Sequence, residues 1–315
     1  MGGVLVQRLN TSVFADPAAL VENAVRIAEH LESTPAGRPG APPAPLATTG
    51  GGLLWEDANG FPWRALPWID GAAAPTTVAD ADEARPCGLA FGAYLAALSD
   101  LDPTPTTVLP GFHDTGSRFD ALESAAAANA MGRIDQCAAD ADSCMALRDA
   151  ALLLDRRAAS GEIPCRVVHN DAKPSNVLRD RASGRPQCVI DLDTTQYGLA
   201  AHDFGDLVRS ATSRSAEDET DISRVTMEGD LLAAVAEGWL EGTGGILTTA
   251  EKGSLWDGCV AILAEQAARF LADHLSGDTY YPVDRANQNL ERARVQMALL
   301  EDLARHRDAL VRIVE

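Results

Sequence analysis

The apolar positions change period several times along this chain, and those changes outline its elements. Val4-Leu5-Val6-Gln7-Arg8-Leu9 is a largely aliphatic run that reads as a short strand. Between 18 and 31, Leu20, Ala24, Ile27 and Leu31 recur at helical spacing. The Pro/Gly-rich stretch 34–43 ends that pattern in a loop. Leu53 to Glu56, the Asn59-Gly60 pair and Phe61 to Ile69 then read as a hairpin, with Trp63 and Trp68 expected in the core.

From Asp80 helical spacing takes over. Leu89, Phe91, Leu95 and Leu98 mark a helix over 84–99, and Ala/Leu-rich helices follow over 121–131 and 144–160. Two strand-like runs interrupt this half, Arg166-Val167-Val168 and Cys188-Val189-Ile190. Ser183-Gly184 between them is a hairpin-type turn, so the two runs are expected to return side by side. Ser210 to Thr220 is polar and reads as a loop. A last helix, 261–275, carries Arg269 and Asp273 four residues apart on one face.

Composition narrows what such a chain does. At 315 residues and 46% hydrophobic content it buries a large core in one or two domains. The net charge of -20 argues against nucleic acid and anionic membrane as partners. It also repels a nucleotide at long range, so any nucleotide must be held by a divalent cation and local basic groups.

The six cysteines show no CxxC spacing, and Cys165 and Cys188 fall in the apolar runs, where a thiol behaves as a small hydrophobe. A reducing, cytoplasmic setting fits this better than a disulfide or zinc framework. No run approaches the roughly eighteen apolar residues of a membrane span. The first residues have neither a basic region nor an apolar core, and Val6 stands where a myristoylation signal needs Ser or Thr. The expectation is a soluble cytoplasmic protein.

The chemistry concentrates between Cys165 and Arg209. His169-Asn170-Asp171 closes the first run, placing Asp171 at the tip of a strand. Lys173 and Asn176 follow on a loop that Pro174 keeps from becoming helical at once. The second run delivers Asp191 and Asp193. An isolated acid on a loop is ordinarily a solvated turn residue, and a single histidine a hydrogen-bonded core residue. The ordered set HxDxKxxN, then IDLD, then DFGD, is another matter. An Asp to accept a hydroxyl proton, with an Asn and an Asp to hold Mg²⁺ on ATP, is what phosphoryl transfer requires. The order also matches the protein-kinase template, with IDLD where DFG would stand.

This pattern resembles the aminoglycoside-phosphotransferase and choline-kinase group of small-molecule kinases, and more narrowly the N-acetylhexosamine 1-kinases. Three further blocks are similar to that subgroup: LVQRLNTSVFADPAALVEN near the start, LPGFHDTGSRF at 109–119, and EQAARFLADHLSGDTYYPV with NLERARVQMALLEDL near the end. The resemblance runs from about Leu5 to Leu303. It implies an α+β, protein-kinase-like two-lobe fold with a shortened N-terminal β lobe and a mainly helical C-terminal lobe. Residues 1–70 would form the nucleotide lobe and hinge, and residues 71–315 the catalytic and substrate lobe. Members normally carry two strands and a phosphate-covering loop before the first strand found here. Only Met1-Gly2-Gly3 precede it, so the nucleotide is expected to be poorly covered, and a nucleotide-binding pseudokinase lacking that hairpin is the alternative to an active enzyme.

The same resemblance assigns roles. Asp171 is the expected base, His169 an anchor of the loop, and Lys173 a cation near the γ-phosphate. Asn176 and Asp191 are the expected Mg²⁺ ligands, with Asp193 at the metal or the sugar. Arg8, or Gln7 on the opposite face of the strand, would meet the nucleotide, oriented by Glu22 or Glu29. Pro67-Trp68-Ile69 would be the hinge against adenine. Arg269, Tyr280 and Arg209 would approach the acceptor, Arg209 alternatively holding Asp206, and Asp203 would brace the catalytic loop. His113-Asp114 reads as a hydrogen-bonded pair near the sugar or as a helix-start turn. Arg269 with Asp273 alternatively makes a surface ion pair. ATP and Mg²⁺ are the implied cofactors and a small-molecule sugar the implied partner, with an aminoglycoside, choline or another alcohol as the competing acceptor.

Overall fold

A computed structural model describes residues 2–33 and 40–314. Most of the 34–43 loop and the initiator methionine lie outside the described residues. The chain runs β1 (Val4–Arg8), α1 (Pro17–Glu32), β2 (Trp55–Glu56), β3 (Pro62–Pro67), β4 (Ala72–Ala73), α2 (Ala81–Ala97), α3 (Thr115–Ala128), α4 (Ile134–Met145), α5 (Arg148–Ala151) and α6 (Leu153–Ala159). There follow β5 (Arg166–Val168), β6 (Val177–Asp180), β7 (Pro186–Val189), β8 (Gln196–Gly198), α7 (Ala200–Ala211), α8 (Gly229–Thr243), α9 (Thr249–Gly253), α10 (Leu255–Ser276), α11 (Gln288–Leu303) and α12 (Arg307–Val314).

The small lobe is an antiparallel sheet of order β1-β3-β2. The hairpin between β2 and β3 forms as its Asn59-Gly60 turn predicts, with Gly60 at φ 82°. Helix α1 begins where Asp16 accepts a hydrogen bond from the Ala19 amide at 2.9 Å and Pro17 takes the first turn. Leu20 and Val21 of α1 pack with Leu9 and Val108, joining this lobe to the helical body. Trp68, expected in the core, is 54% exposed: its amide donates to the Gly3 carbonyl at the edge of the ladder, so its ring projects from the sheet.

The helical body is organised by two close crossings. A Cβ added to Gly88 or Gly92 of α2 would lie 2.2 or 2.3 Å from a carbonyl oxygen of α8. The reciprocal positions on α8, Gly238 and Gly242, are equally tight. Behind the catalytic segment, Gly205 of α7 meets Gly258 of α10 in the same way. Only glycine lets helix backbones approach this closely, and Trp239, Phe91 and Phe204 fill the surrounding core. Among the described residues no helix is long and apolar enough to cross a membrane.

One expected pairing is different. Arg166–Val168 does not return beside Cys188–Val189. The Ser183-Gly184 turn instead closes β6 on β7, while β5 pairs with β8. The chain between the two runs is long enough to make its own hairpin, and the shorter loop closure wins. Cys165 accordingly precedes β5 and is exposed, whereas Cys188 on β7 is buried.

Candidate active site

The hairpin swap still brings the predicted acids together. His169 follows β5 and is fully buried, with Phe91 and Tyr94 edge-on to its ring at 5.3 and 5.7 Å. The Asp171 amide donates to His169 Nδ1 at 3.3 Å, so Nε2 carries the proton and donates to the Ile190 carbonyl at 2.9 Å. This imidazole links the loop after β5 to the end of β7, two separate sheets.

Asp203 completes the loop. Its buried carboxylate accepts the amides of His169 at 2.7 Å and Asn170 at 2.6 Å, which is the bracing role expected for it. Burial pushes its carboxyl up to about 6 against those amides and His169. Asn170 sits at φ 64°, a conformation that asparagine tolerates, and its amide nitrogen donates to the Thr194 carbonyl at 2.9 Å. Gly198 on β8 leaves room for it: a Cβ there would lie 2.7 Å from Asn170 Oδ1.

On this frame Asp171 is half-buried. Lys173 Nζ lies 2.7 Å from its Oδ2, and Asn176 Nδ2 donates to its carbonyl at 2.9 Å and its carboxylate at 3.0 Å. Pro174–Asn176 form a 3-10 turn, with proline at its first position. Burial works against the lysine charge, but Asp171, and beyond it Asp206 and Asp191, raise its pKa. Asp191 follows β7 at φ 62°, a left-handed turn that aspartate also accepts. Although Asp191 is exposed, partial desolvation by the atoms packed around it and the neighbouring charges of Asp193 and Asp171 push its pKa up.

The donor set suits a hard divalent cation. Asn176 commits its amide nitrogen to Asp171, which leaves its oxygen uncommitted, and Asp191 makes no ion pair among the described residues. Two oxygen donors beside a third carboxylate, with the remaining positions open to phosphate and water, match Mg²⁺ rather than zinc.

Asp193 stands apart from this set. It is buried in a two-pronged ion pair with Arg64 of β3, at 2.6 and 2.8 Å, and Arg64 also donates to Gln7 at 3.0 and 2.8 Å. Arg64 is thus the cation that the small sheet sends to the catalytic segment. Sequence reasoning passed over it because it lies in a hairpin strand chosen for its hinge. Arg8 is exposed over the Phe61 ring at 4.9 Å, and Glu22 and Glu29 lie exposed on α1. Strand alternation puts Gln7, not Arg8, on the face that meets Arg64.

Of the residues expected at the acceptor, Arg269 and Tyr280 gather elsewhere, while Arg209 stays beside Asp206 and Asp193 beside Arg64. Arg269 of α10 and Tyr280 line a cavity of about 470 Å³ with Phe112, Arg118 and Tyr281. The Arg269 guanidinium lies over both tyrosine rings, 5.8 and 5.5 Å from their centroids. It does not pair with Asp273. That carboxylate accepts the backbone amides of Thr279, Tyr280 and Tyr281, each at 2.9 Å, and Asn289 at 3.0 Å, and so folds the loop that carries the tyrosines. Arg209 holds Asp206 at 2.7 Å, reaches Glu217 at 3.3 Å, and is raised in pKa by those acids and by Asp171 against the effect of its burial.

His113 and Asp114 do not pair with each other. Asp114 caps α3 through the Ser117 amide at 2.9 Å, while His113 reaches Glu265 and the catalytic loop.

Residues 3–243 match the family profile described as "Phosphotransferase enzyme family" (APH). Among solved structures, the chain is similar to a microcompartment-associated aminopropanol kinase, with a TM-score of 0.62 and 16% identity over 98% of this chain and 86% of that one. It is likewise similar to an aminoglycoside phosphotransferase from Alicyclobacillus acidocaldarius, with a TM-score of 0.57, 16% identity and the same coverage. A spectinomycin phosphotransferase in complex with ADP and spectinomycin aligns over 94% of this chain and 85% of its own, with a TM-score of 0.54 and 15% identity. At these identities the structural neighbours share the kinase-like fold.

Proposed function

The chain belongs to the phosphotransferase enzyme family, and from that membership and the site geometry we propose that it moves the γ-phosphate of ATP to the anomeric hydroxyl of a neutral sugar, an N-acetylhexosamine. The coarser statement, a small-molecule phosphotransferase of the aminoglycoside-phosphotransferase and choline-kinase type, follows from the family itself.

Asp171 accepts or aligns the acceptor's hydroxyl proton, held in place by Lys173 and Asn176. Asn176 and Asp191 hold Mg²⁺, which when bound neutralises charge on the phosphates. Lys173 offsets charge on the transferring group, and the loop's fixed dipoles spare it reorganisation during the transfer. Residues 1–70 supply the nucleotide side. The Trp68 amide is engaged by Gly3, so adenine contacts fall to the Trp68 carbonyl and the Ile69 backbone.

The observation that carries the acceptor reading is the kind of polar group set into the otherwise largely apolar wall of the 470 Å³ cavity. It offers the Arg269 guanidinium and the Tyr280 hydroxyl, while Arg118 is partly engaged by the Gly111 and Phe112 carbonyls and the unpartnered Tyr281 hydroxyl lies buried in the wall. Its one carboxylate, Asp273, is saturated by backbone amides and Asn289. A cationic amine would find no free anion there, whereas hydroxyls and an acetamido carbonyl find fixed donors.

A panel of N-acetylhexosamines, other sugars, aminoglycosides, choline and ethanolamine, assayed for acceptor-dependent ADP release from Mg²⁺–ATP, tests the proposal. Expected is turnover with an N-acetylhexosamine, with ³¹P NMR locating the phosphate on the anomeric carbon. Preference for an amine-bearing alcohol would refute the acceptor while leaving phosphotransfer intact. Calorimetric binding of ADP–Mg²⁺ without turnover of any acceptor would refute phosphotransfer itself.

A further inference from the structure

Between the acceptor cavity and the catalytic loop lies a buried pair that neither the metal site nor the cavity explains. His113 Nδ1 meets Glu265 Oε1 at 3.2 Å, and His113 Nε2 meets the Asn170 carbonyl at 3.1 Å. The Glu265 side chain is 1% exposed and also accepts from Thr115 Oγ1 at 3.2 Å. Arg269, on the cavity wall, approaches the same carboxylate at 4.0 Å.

The imidazole therefore faces a carboxylate with one nitrogen and a carbonyl with the other. Neither partner has a proton to give at neutral pH, so both ring nitrogens donate and His113 is an imidazolium. Burial alone would discharge both groups, but each holds the other in its charged form: His113 is raised and Glu265 lowered. From α7, the neutral His202 ring lies tilted against His113 with centroids 4.7 Å apart, while Asp203 and Asp206 of α7 and Asp155 of α6 bear on the same region.

The carbonyl that His113 fixes belongs to the residue before Asp171. Asn170 is thereby held at its amide by Asp203, at its side chain by Thr194 and at its carbonyl by His113. Three restraints on one residue with positive φ set the direction in which the next side chain leaves the chain. Of these, only the third comes from the segment that lines the 470 Å³ cavity, where Phe112 precedes His113.

We propose that His113 and Glu265 are positioning residues, a buried imidazolium–carboxylate pair that aims Asp171 by fixing the Asn170 carbonyl and seats Arg269 at the cavity wall. This rests on the phosphotransfer reading above for its kinetic consequence, and on the geometry alone for its structural one. The pair works through the loop and touches neither acceptor nor nucleotide.

The test uses the full chain with H113Q, E265Q and the double variant H113Q/E265Q. The double variant carries no unpaired buried charge and so remains informative where a single variant fails to fold. With Mg²⁺–ATP and N-acetylglucosamine as the acceptor probe, kcat is expected to fall about 10- to 100-fold, the scale of a small misplacement of a reacting group. KM for ATP and calorimetric binding of ADP–Mg²⁺ should stay within about twofold, and the double variant should be no slower than the slower single one, since the two act as a unit. An unchanged kcat, or losses that multiply in the double variant, would overturn the assignment.

Two readouts need no acceptor. ¹⁵N NMR of wild-type His113 should show both ring nitrogens protonated at neutral pH. Hydrogen exchange across 169–172 should be faster in the variants, with exchange in α2 unchanged. If N-acetylglucosamine is not phosphorylated, the functional reading fails, and these two measurements still decide the positioning pair. A neutral His113 or unchanged exchange would reject it.

Discussion

The catalytic loop and the small sheet are held by different means. Around Asp171, short hydrogen bonds to backbone atoms fix the chain: Asp203, His169, Thr194 and His113 each hold a specific amide or carbonyl. In and beside the small sheet, Val4, Val6, Trp55 and Trp68 stand exposed, and the ion pair that ties β3 to the 191–193 segment is Arg64–Asp193, with Leu9 packed on Leu20, Val21 and Val108 behind it. Redundant, local restraints leave Asp171 little freedom. A long-range charge pair and one small apolar cluster fix the sheet's position but leave its outer face without packing. The contrast matches the two tasks, since in-line transfer tolerates less error at the acceptor oxygen than at the far end of a nucleotide.

The largest expected effect breaks the loop's chemistry without disturbing its frame. Asp171→Asn should lower kcat by about 10²- to 10⁴-fold with the melting temperature little changed. Steady-state turnover within tenfold of wild type would remove Asp171 from the base role.

Next comes the bond between the regions. Asp193→Ala strands the Arg64 guanidinium in the interior, and a loss of about 3–5 kcal/mol is expected by urea denaturation. Replacing both, with Arg64→Met and Asp193→Leu, should restore most of it. A double variant as unstable as the single one would show that the cost lies in packing and not in stranded charge.

Asp203→Asn sharpens the comparison through pH. Asp203 titrates near 6 when folded and near its ordinary 3.8 when unfolded, so the folded state binds more protons in between. Its contribution to stability is therefore greatest below the unfolded pKa, declines as pH rises from about 4 to 6, and stays at the lower level above. Subtracting the Asn variant's denaturation midpoints from those of wild type across that window should reveal the decline. A flat difference would place the folded pKa near 3.8.

The smallest effect belongs to the exposed face of the sheet. Val6→Thr, 59% exposed in the parent, should change stability by less than about 0.5 kcal/mol. A larger loss would mean that this face is covered in solution.

Much of the loop was legible because its residues are close in sequence. HxDxKxxN spans a few residues, so spacing alone brings base, lysine and amide together, and the second apolar run delivers Asp191 beside them. Asp203, 34 positions from His169, was legible as a brace only through the family resemblance of its DFGD block. Helices α1, α2 and α10 followed from their apolar spacing, and the β2–β3 hairpin from Asn59-Gly60. The β5–β7 pairing was misjudged because two strand-like runs and one turn do not say which strands the turn joins. Trp68 was misplaced because an aromatic residue in an edge region has the same sequence signature whether it points in or out.

The sequence by itself determined that this chain carries an acid, an amide and a second acid in the order phosphoryl transfer needs, on a mixed scaffold with a helical majority. It also held Arg269 and the two tyrosines of the 470 Å³ cavity in one C-terminal block, though Phe112 and Arg118 reach that cavity from 109–119. Only the tertiary structure decided that Arg64 pairs with Asp193 across 129 positions and His113 with Glu265 across 152. No local pattern marks such partners. A buried charge is stable only where the fold brings its opposite to it, and that meeting depends on how strands and helices pack rather than on the residues beside it.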